Sequence, residues 1–220
     1  TSPELSTGDT LIFIRAYNLR PGIWKFRLTG EYIVEGNYYA WIPQRELIDD
    51  ETKFLNPVEY TTITLPSTSN NAISVGYYNQ NNNSIVSESS NGYTRYGNIK
   101  PDIVAGGSNA LVTIPGGATS VMSGSSVAGA VVAGCCALIL QWAVTDGNYP
   151  GIYSSQIKTY IISGAKTRPG DIYPNRQWGY GMFDLQGVFD WIKQTYTPRI
   201  NTDFEEYRVK NLFIRKPRDL

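Results

Sequence analysis

Bulky and polar positions alternate along the first quarter of the chain, and longer apolar blocks follow. In "TLIFIRAYNL" and "GIWKFRLTGEYIVEGNYYAWIPQRELI" β-forming residues alternate with polar ones, broken by the turn sequences "RPG" and "EGN". This period of two with Gly and Pro punctuation predicts antiparallel β-structure. The aromatic residues Trp24, Phe26, Tyr32, Tyr38, Tyr39 and Trp41 fit the core and rim of a small β-sandwich, with a sugar-binding face as the alternative. A loop with Pro and Ser then leads into "AISVGYY", a short apolar strand ended by the Asn-rich turn "NQNNNS". "DIVAGG" and "ALVTIPGG" are further short β pieces ending in glycines. The next block, "SSVAGAVVAGCCALILQWAV", predicts a helix that is apolar almost all round, hence central and buried. Two more helices are predicted at "SSQIKTYIISGA", with Ser154 or Ser155 as N-cap, and at "DLQGVFDWIKQT". Strands alternating with helices predict an α/β domain.

Composition narrows the picture without naming a partner. With 220 residues and 41% apolar content the chain is large enough for a real core. Nineteen basic residues balance nineteen acidic ones, so no global field points to nucleic acid or an anionic membrane. No window is read as the long uncharged apolar run of a membrane helix, and "TSPELSTGDT" has neither Met nor a signal-peptide layout. The start of the gene product is therefore expected upstream. Cys135 and Cys136 are adjacent and are read as two buried thiols acting as small hydrophobes. The chain contains no histidine, which argues against a zinc site.

Two serines head the apolar helix. They serve either as an N-cap or as a nucleophile beside unpaired N–H groups, where the helix dipole favours developing negative charge. Gly124, Ala128, Gly129, Ala130, Ala133 and Gly134 leave little side chain, and each helical glycine costs about 1 kcal/mol relative to alanine. Their number predicts another backbone packed tightly against this helix.

The order of "NAISVGYYNQ", "GYTRYGNIKPDIVAGG", "TIPGG", "SGSSVAGAVVAG" and "WGYGMFDLQGVF" resembles the C-terminal half of a subtilisin-like serine protease, roughly from Thr61 to Trp191. On that resemblance Ser126 falls on the nucleophile, and Gly124 and Ser125 on the glycine and threonine before it. Ser125, Gly106 and Ala130 depart from the usual threonine, proline and proline. The first third, before "PSTSNNAISVGYYN", resembles the jelly-roll insertion of the clostridial germination-specific Csp-type subtilases.

The resemblance implies an α/β fold: the C-terminal half of a parallel-sheet domain, preceded by part of an antiparallel jelly-roll insertion. It divides the chain into 1–56 (insertion), 57–197 (catalytic half) and 198–220 (a tail packing on the domain through Phe204, Tyr207, Leu212 and Phe213). Ser126 would be the catalytic serine, its backbone N–H an oxyanion donor, with Gly124 and Ser125 supporting the nucleophile loop. The aspartate, the histidine and the oxyanion asparagine would come from an upstream segment, the N-terminal half of the same protease as a separate chain, with a prodomain as a further candidate partner. This chain alone would be inactive, and its substrate a protein or peptide, with neither nucleic acid nor membrane as partner. The alternative is a Csp-like pseudoprotease or a binding scaffold. No cofactor is evident; the resemblance leaves room for structural calcium, frequent in the family, but no acidic cluster is dense enough to assign a site. Family resemblance favours an extracellular or spore-associated location. Asp102 is read as a structural acceptor beside Pro101, and Asp184 as capping or positioning the last helix.

Overall fold

The structure, a computed structural model, describes residues 2–3, 9–33, 36–43 and 47–196. The chain divides into two units, Thr1–Lys53 and Phe54–Leu220. The expected tail at 198–220 lies outside the described residues.

In the first unit, β1 (Ser2–Pro3) pairs antiparallel with β2 (Thr10–Leu11), Ser2 opposite Leu11. Residues 12–33 and 36–43 carry no regular strand, and Trp24, Phe26, Tyr32, Tyr38, Tyr39 and Trp41 are exposed. The alternating pattern predicts a sheet over these positions. Alternation supplies an apolar face, but such a face is stable only against further strands or a second layer, and a two-stranded ladder alone is marginal. Tyr39 and Trp41 stack on each other instead, with centroids 5.7 Å apart.

The second unit is the α/β part. β3 (Val75–Asn79) runs parallel to β5 (Ile103–Gly106) and antiparallel to β4 (Ser84–Ile85), giving the order β4-β3-β5. The register sets Val75 opposite Ile103 and Tyr77 opposite Ala105. Ile103, Val104 and Ala105 are all buried, as expected of a strand covered on both faces. Asx turns at Asn79 and Asn82 close the β3–β4 connection, their side chains accepting from Asn81 N and Ser84 N. β6 (Ala110–Thr113) and β7 (Thr119–Met122) form a hairpin. The second strand of that hairpin is absent from the sequence reading, because "TSVM" leads straight into the serine stretch.

Three helices follow. α1 (Ser125–Leu140) continues into a π-helical turn at Gln141–Thr145; α2 spans Ser154–Ser163 and α3 Leu185–Tyr196. α2 is capped differently from the expectation: Ser154 is its first residue and Tyr153 its N-cap, whose N–H donates to Gln156 Oε1 at 3.1 Å. α3 follows Asp184, whose carbonyl accepts from Val188 N at 3.0 Å. α1 packs on one face of the sheet, where Ala128, Val132 and Ile139 meet Tyr77, Ile103 and Ala105, together with Ile157 and Ile161 of α2 and Val188 and Ile192 of α3. Each fully buried Ile contributes about 1.5–3 kcal/mol relative to exposure. α2 and α3 approach closely at Gly164 and Gly187: a Cβ on Gly164 would lie 2.3 Å from Val188 N. The other face of the sheet buries Val104 with Trp178 and Met182.

Burial of α1 differs from the expectation. Its buried stripe runs Ala128, Val132, Ile139 and on to Ala143, with Cys136 half-buried between them. Val131, Leu138, Leu140 and Val144 stay 40–48% exposed. One side of the helix meets the sheet, and within this unit nothing among the described residues covers the other. The tight packing predicted for the small residues is accordingly split. Ala128 is fully buried, whereas nothing lies within 4 Å of a Cβ on Gly129 or Gly134. Ser125–Thr145 is also, at 21 residues, long and apolar enough to cross a membrane by length and composition. This corrects the reading that no such window exists; the glycines and serines had masked the run.

Candidate functional site

The two parallel strands end where the serines begin. After β5, Gly107 N donates to Tyr78 O at 3.2 Å, so the chain leaves the sheet beside the C-terminal end of β3. In open α/β sheets this edge is where ligands bind. The β6–β7 hairpin loops out and returns at Ser123, and Gly124 N donates to Gly107 O at 2.8 Å, closing its base. Two side chains reinforce the closure. Ser123 Oγ accepts from Asn109 N at 2.8 Å. The Gln80 amide bridges Ser108, accepting from its N–H at 3.1 Å and donating to its carbonyl.

α1 starts from that closed base. Gly124 is the N-cap, with φ 144°, a conformation that favours glycine. Its carbonyl accepts from Val127 N and Ala128 N at 3.1 and 3.3 Å. No side-chain cap is present, so capping does not account for the serine pair. Ser125 and Ser126 are the first two helical residues; both are exposed, and among the described residues neither hydroxyl makes a hydrogen bond. The Ser126 N–H is one of the donors that a helix start leaves unpaired, at the positive end of the dipole. A hydroxyl and an amide donor therefore sit together on a rigid element, facing solvent. The arrangement suits attack on a carbonyl carbon with the resulting oxyanion held by the amide.

The site residues expected from the sequence are thus contiguous. Gly124 shapes the entry, Ser126 presents the hydroxyl, and Ser123 ties the base of the hairpin to Asn109. Gln80, Asn109 and Ser123 escaped the sequence reading. Gln80 lies in an Asn-rich turn that reads as mere punctuation, and the pairing of Ser123 with Asn109 depends on a hairpin that was only half legible. The histidine that the resemblance assigns as base is not in this chain, which has no histidine. Asp102, 2% exposed, is structural: its carboxylate accepts from Ser74 N and Lys100 Nζ, each at 2.7 Å, and pairs with Lys158 Nζ at 2.8 Å. Burial pushes the Lys100 ammonium below the ordinary lysine range, and its contacts with Asp102 oppose the shift. Cys135 and Cys136 are free and half-buried rather than fully buried. Burial raises both thiols, which disfavours thiolate chemistry.

The tight point beneath the start of α1 is Gly107. A Cβ there would lie 2.7 Å from Gly124 O, 3.0 Å from Tyr77 Cβ and 3.2 Å from Ala128 Cβ. Gly107→Ala is expected to destabilise the chain by about 1–3 kcal/mol through overpacking. Gly129→Ala, with open space around it, is expected to be neutral or to stabilise by up to about 1 kcal/mol. Urea midpoints of the two variants check the contrast; equal midpoints would contradict it.

Comparison with known proteins bears on this geometry. The model of the subtilase family (peptidase S8) matches residues 49–181. No curated protein sequence matches the chain. The chain is similar to the structure of the Clostridium perfringens CspB protease, at 39% identity and a TM-score of 0.62 over 66% of this chain and 32% of that one. The chain thus spans about a third of that protein's length. The patellamide maturation protease PatA gives 24% identity and a TM-score of 0.52, covering 62% of this chain and 48% of that one. The prenylagaramide maturation protease PagA gives 22% and 0.50, covering 60% and 46%; these two likenesses concern the fold alone. With more than half of its length matched by the family model, and with the strand, hairpin and serine-headed helix in the order described, the chain belongs to the subtilase family.

Proposed function

We propose that this chain is the nucleophile-bearing part of a subtilisin-like serine endopeptidase, completed by an upstream segment that supplies the aspartate, the histidine and the oxyanion asparagine. The observation that carries the reading is Ser126 at the start of α1, its hydroxyl exposed and its N–H at the helix origin. A serine hydroxyl is a weak nucleophile until a base takes its proton. With no histidine in the chain, that base belongs to another segment. In the completed enzyme Ser126 Oγ attacks the peptide carbonyl as the histidine takes its proton, and the Ser126 N–H helps hold the oxyanion. The histidine then protonates the leaving amine, and water, activated by the same base, hydrolyses the acyl-enzyme.

The uncovered side of α1 supports the partner. Val131, Leu138, Leu140 and Val144 form an apolar face that a globular domain normally covers, and the upstream segment is the proposed cover. The jelly-roll assignment of the first third, the spore-associated or extracellular location and a role in germination rest on family resemblance and belong to the same proposal. It involves neither nucleic acid nor membrane.

The test is reconstitution. Peptide hydrolysis is expected when this chain and the upstream half are co-expressed as separate polypeptides, with both recovered in one complex. Each alone should be inactive. A stable complex that folds but hydrolyses no peptide would favour the pseudoprotease scaffold, and a folded monomer with no affinity for the upstream half would sink the completion account.

A further inference from the structure

A hollow of about 340 Å³ lies on the second unit beside Trp178, which belongs to the sheet face turned away from α1. We propose that it is a carboxylate-binding site for an acidic peptide segment; none of its lining residues belongs to the start of α1. Two arginines line it. The Arg176 guanidinium carbon sits 4.7 Å from the Tyr60 ring centroid and 5.3 Å from that of Tyr93. Arg168 lies 4.7 Å from the Trp178 ring, whose residue is 3% exposed. Stacking on ring faces fixes the guanidinium planes and leaves their N–H edges for a ligand.

The support beneath them is ordered. The Tyr93 hydroxyl donates to Pro174 O at 3.2 Å, Gly92 N donates to Arg176 O at 2.7 Å, and Thr61 N donates to Gly92 O at 3.3 Å. Asn175 is spent within the loop: its amide donates to Ile172 O and its oxygen accepts from Gln177 N and Trp178 N. Gln177 lines the hollow, and among the described residues its side-chain amide makes no hydrogen bond, which leaves it for a peptide group.

Charge selects the ligand. Arg168 Nε pairs with Asp171 Oδ2 at 3.6 Å, whereas among the described residues the Arg176 guanidinium has neither an ion pair nor a hydrogen bond. Two cations and one carboxylate leave one positive charge uncompensated. A monoanionic carboxylate matches that charge and the planar fork of Arg176; a phosphate dianion would meet repulsion from Asp171. The hollow opens to solvent, with Tyr60 at 42% exposure, so a side-chain carboxylate carried on a longer peptide can enter.

The test uses the complete protein carrying Ser126→Ala, so that no probe is cleaved, and measures the fluorescence anisotropy of labelled hexaglutamate, hexaglutamine and a phosphoserine hexapeptide. Hexaglutamate is expected to bind and hexaglutamine not to bind. Arg176→Ala should weaken hexaglutamate by at least about tenfold, and Arg176→Lys, which keeps the charge and loses the fork, should also weaken it. Arg168→Gln gives a second variant, and urea midpoints verify that each is folded. Unchanged affinity in folded Arg176→Ala, no hexaglutamate binding, or tighter binding of the phosphoserine peptide would each overturn the proposal. Because catalysis is silenced throughout, the result is independent of the peptidase reading.

Discussion

Ser126→Ala in the completed protease is expected to lower kcat by about 10⁶-fold, the scale of losing the nucleophile in a serine peptidase of this family. KM should change little, because the substitution removes only the attacking atom. Since the oxyanion donor proposed at this position is a backbone N–H, it should survive the substitution and sustain residual catalysis of roughly 10³–10⁴ over water. Ser125→Ala, which removes a hydroxyl with no hydrogen bond among the described residues, should cost far less. Steady-state kinetics on a peptide substrate, with urea midpoints to confirm folding, separates the two. Equal losses at both positions would mean that the helix start, rather than one hydroxyl, matters.

The second large effect is expected at Asp102. Asp102→Asn leaves Lys100, 1% exposed, as a buried ammonium without its carboxylate, while Lys158 at 20% side-chain exposure can still turn to water. Breaking a buried pair in this way costs about 3–5 kcal/mol, far more than the net worth of the pair itself. The double variant Lys100→Met/Asp102→Asn should therefore be less destabilised than Asp102→Asn alone. The pH dependence has a definite sign. Burial already lowers Lys100 from the ordinary value of 10.5, and losing Asp102 removes an influence that raises it. Between the lowered folded value and 10.5 the unfolded chain binds more protons, so the stability of the single variant rises with pH across that window. Urea midpoints taken at several pH values measure both effects.

The α/β unit was legible where local pattern and burial agree. "DIVAGG" reads as a short β piece and forms β5, and its apolar run suits the burial on both faces that the structure shows. The helix at Ser125 was legible in position but not in environment. An apolar surface says that a helix seeks cover, not that cover is present, and the exposed Val131 and Leu138 mark the difference. Lys100 and Lys158 escaped for the opposite reason. Lysine is expected at the surface, and the pairing with Asp102 requires α2 to fold back on the start of β5. The arginine hollow joins Tyr60 to loops more than a hundred residues later in the chain, a juxtaposition that no local pattern encodes. In the first unit, alternation was read as a sheet although the strand partners a sandwich needs are not evident among the described residues.

The most direct test of the central claim is covalent. The complete protein should be treated with a fluorophosphonate probe alongside an active control serine protease, and the modified peptide mapped by mass spectrometry. Modification at Ser126, abolished by Ser126→Ala and absent when the upstream half is omitted, is the predicted result. An unlabelled Ser126 in a folded complex, with the control enzyme labelled, would contradict the account.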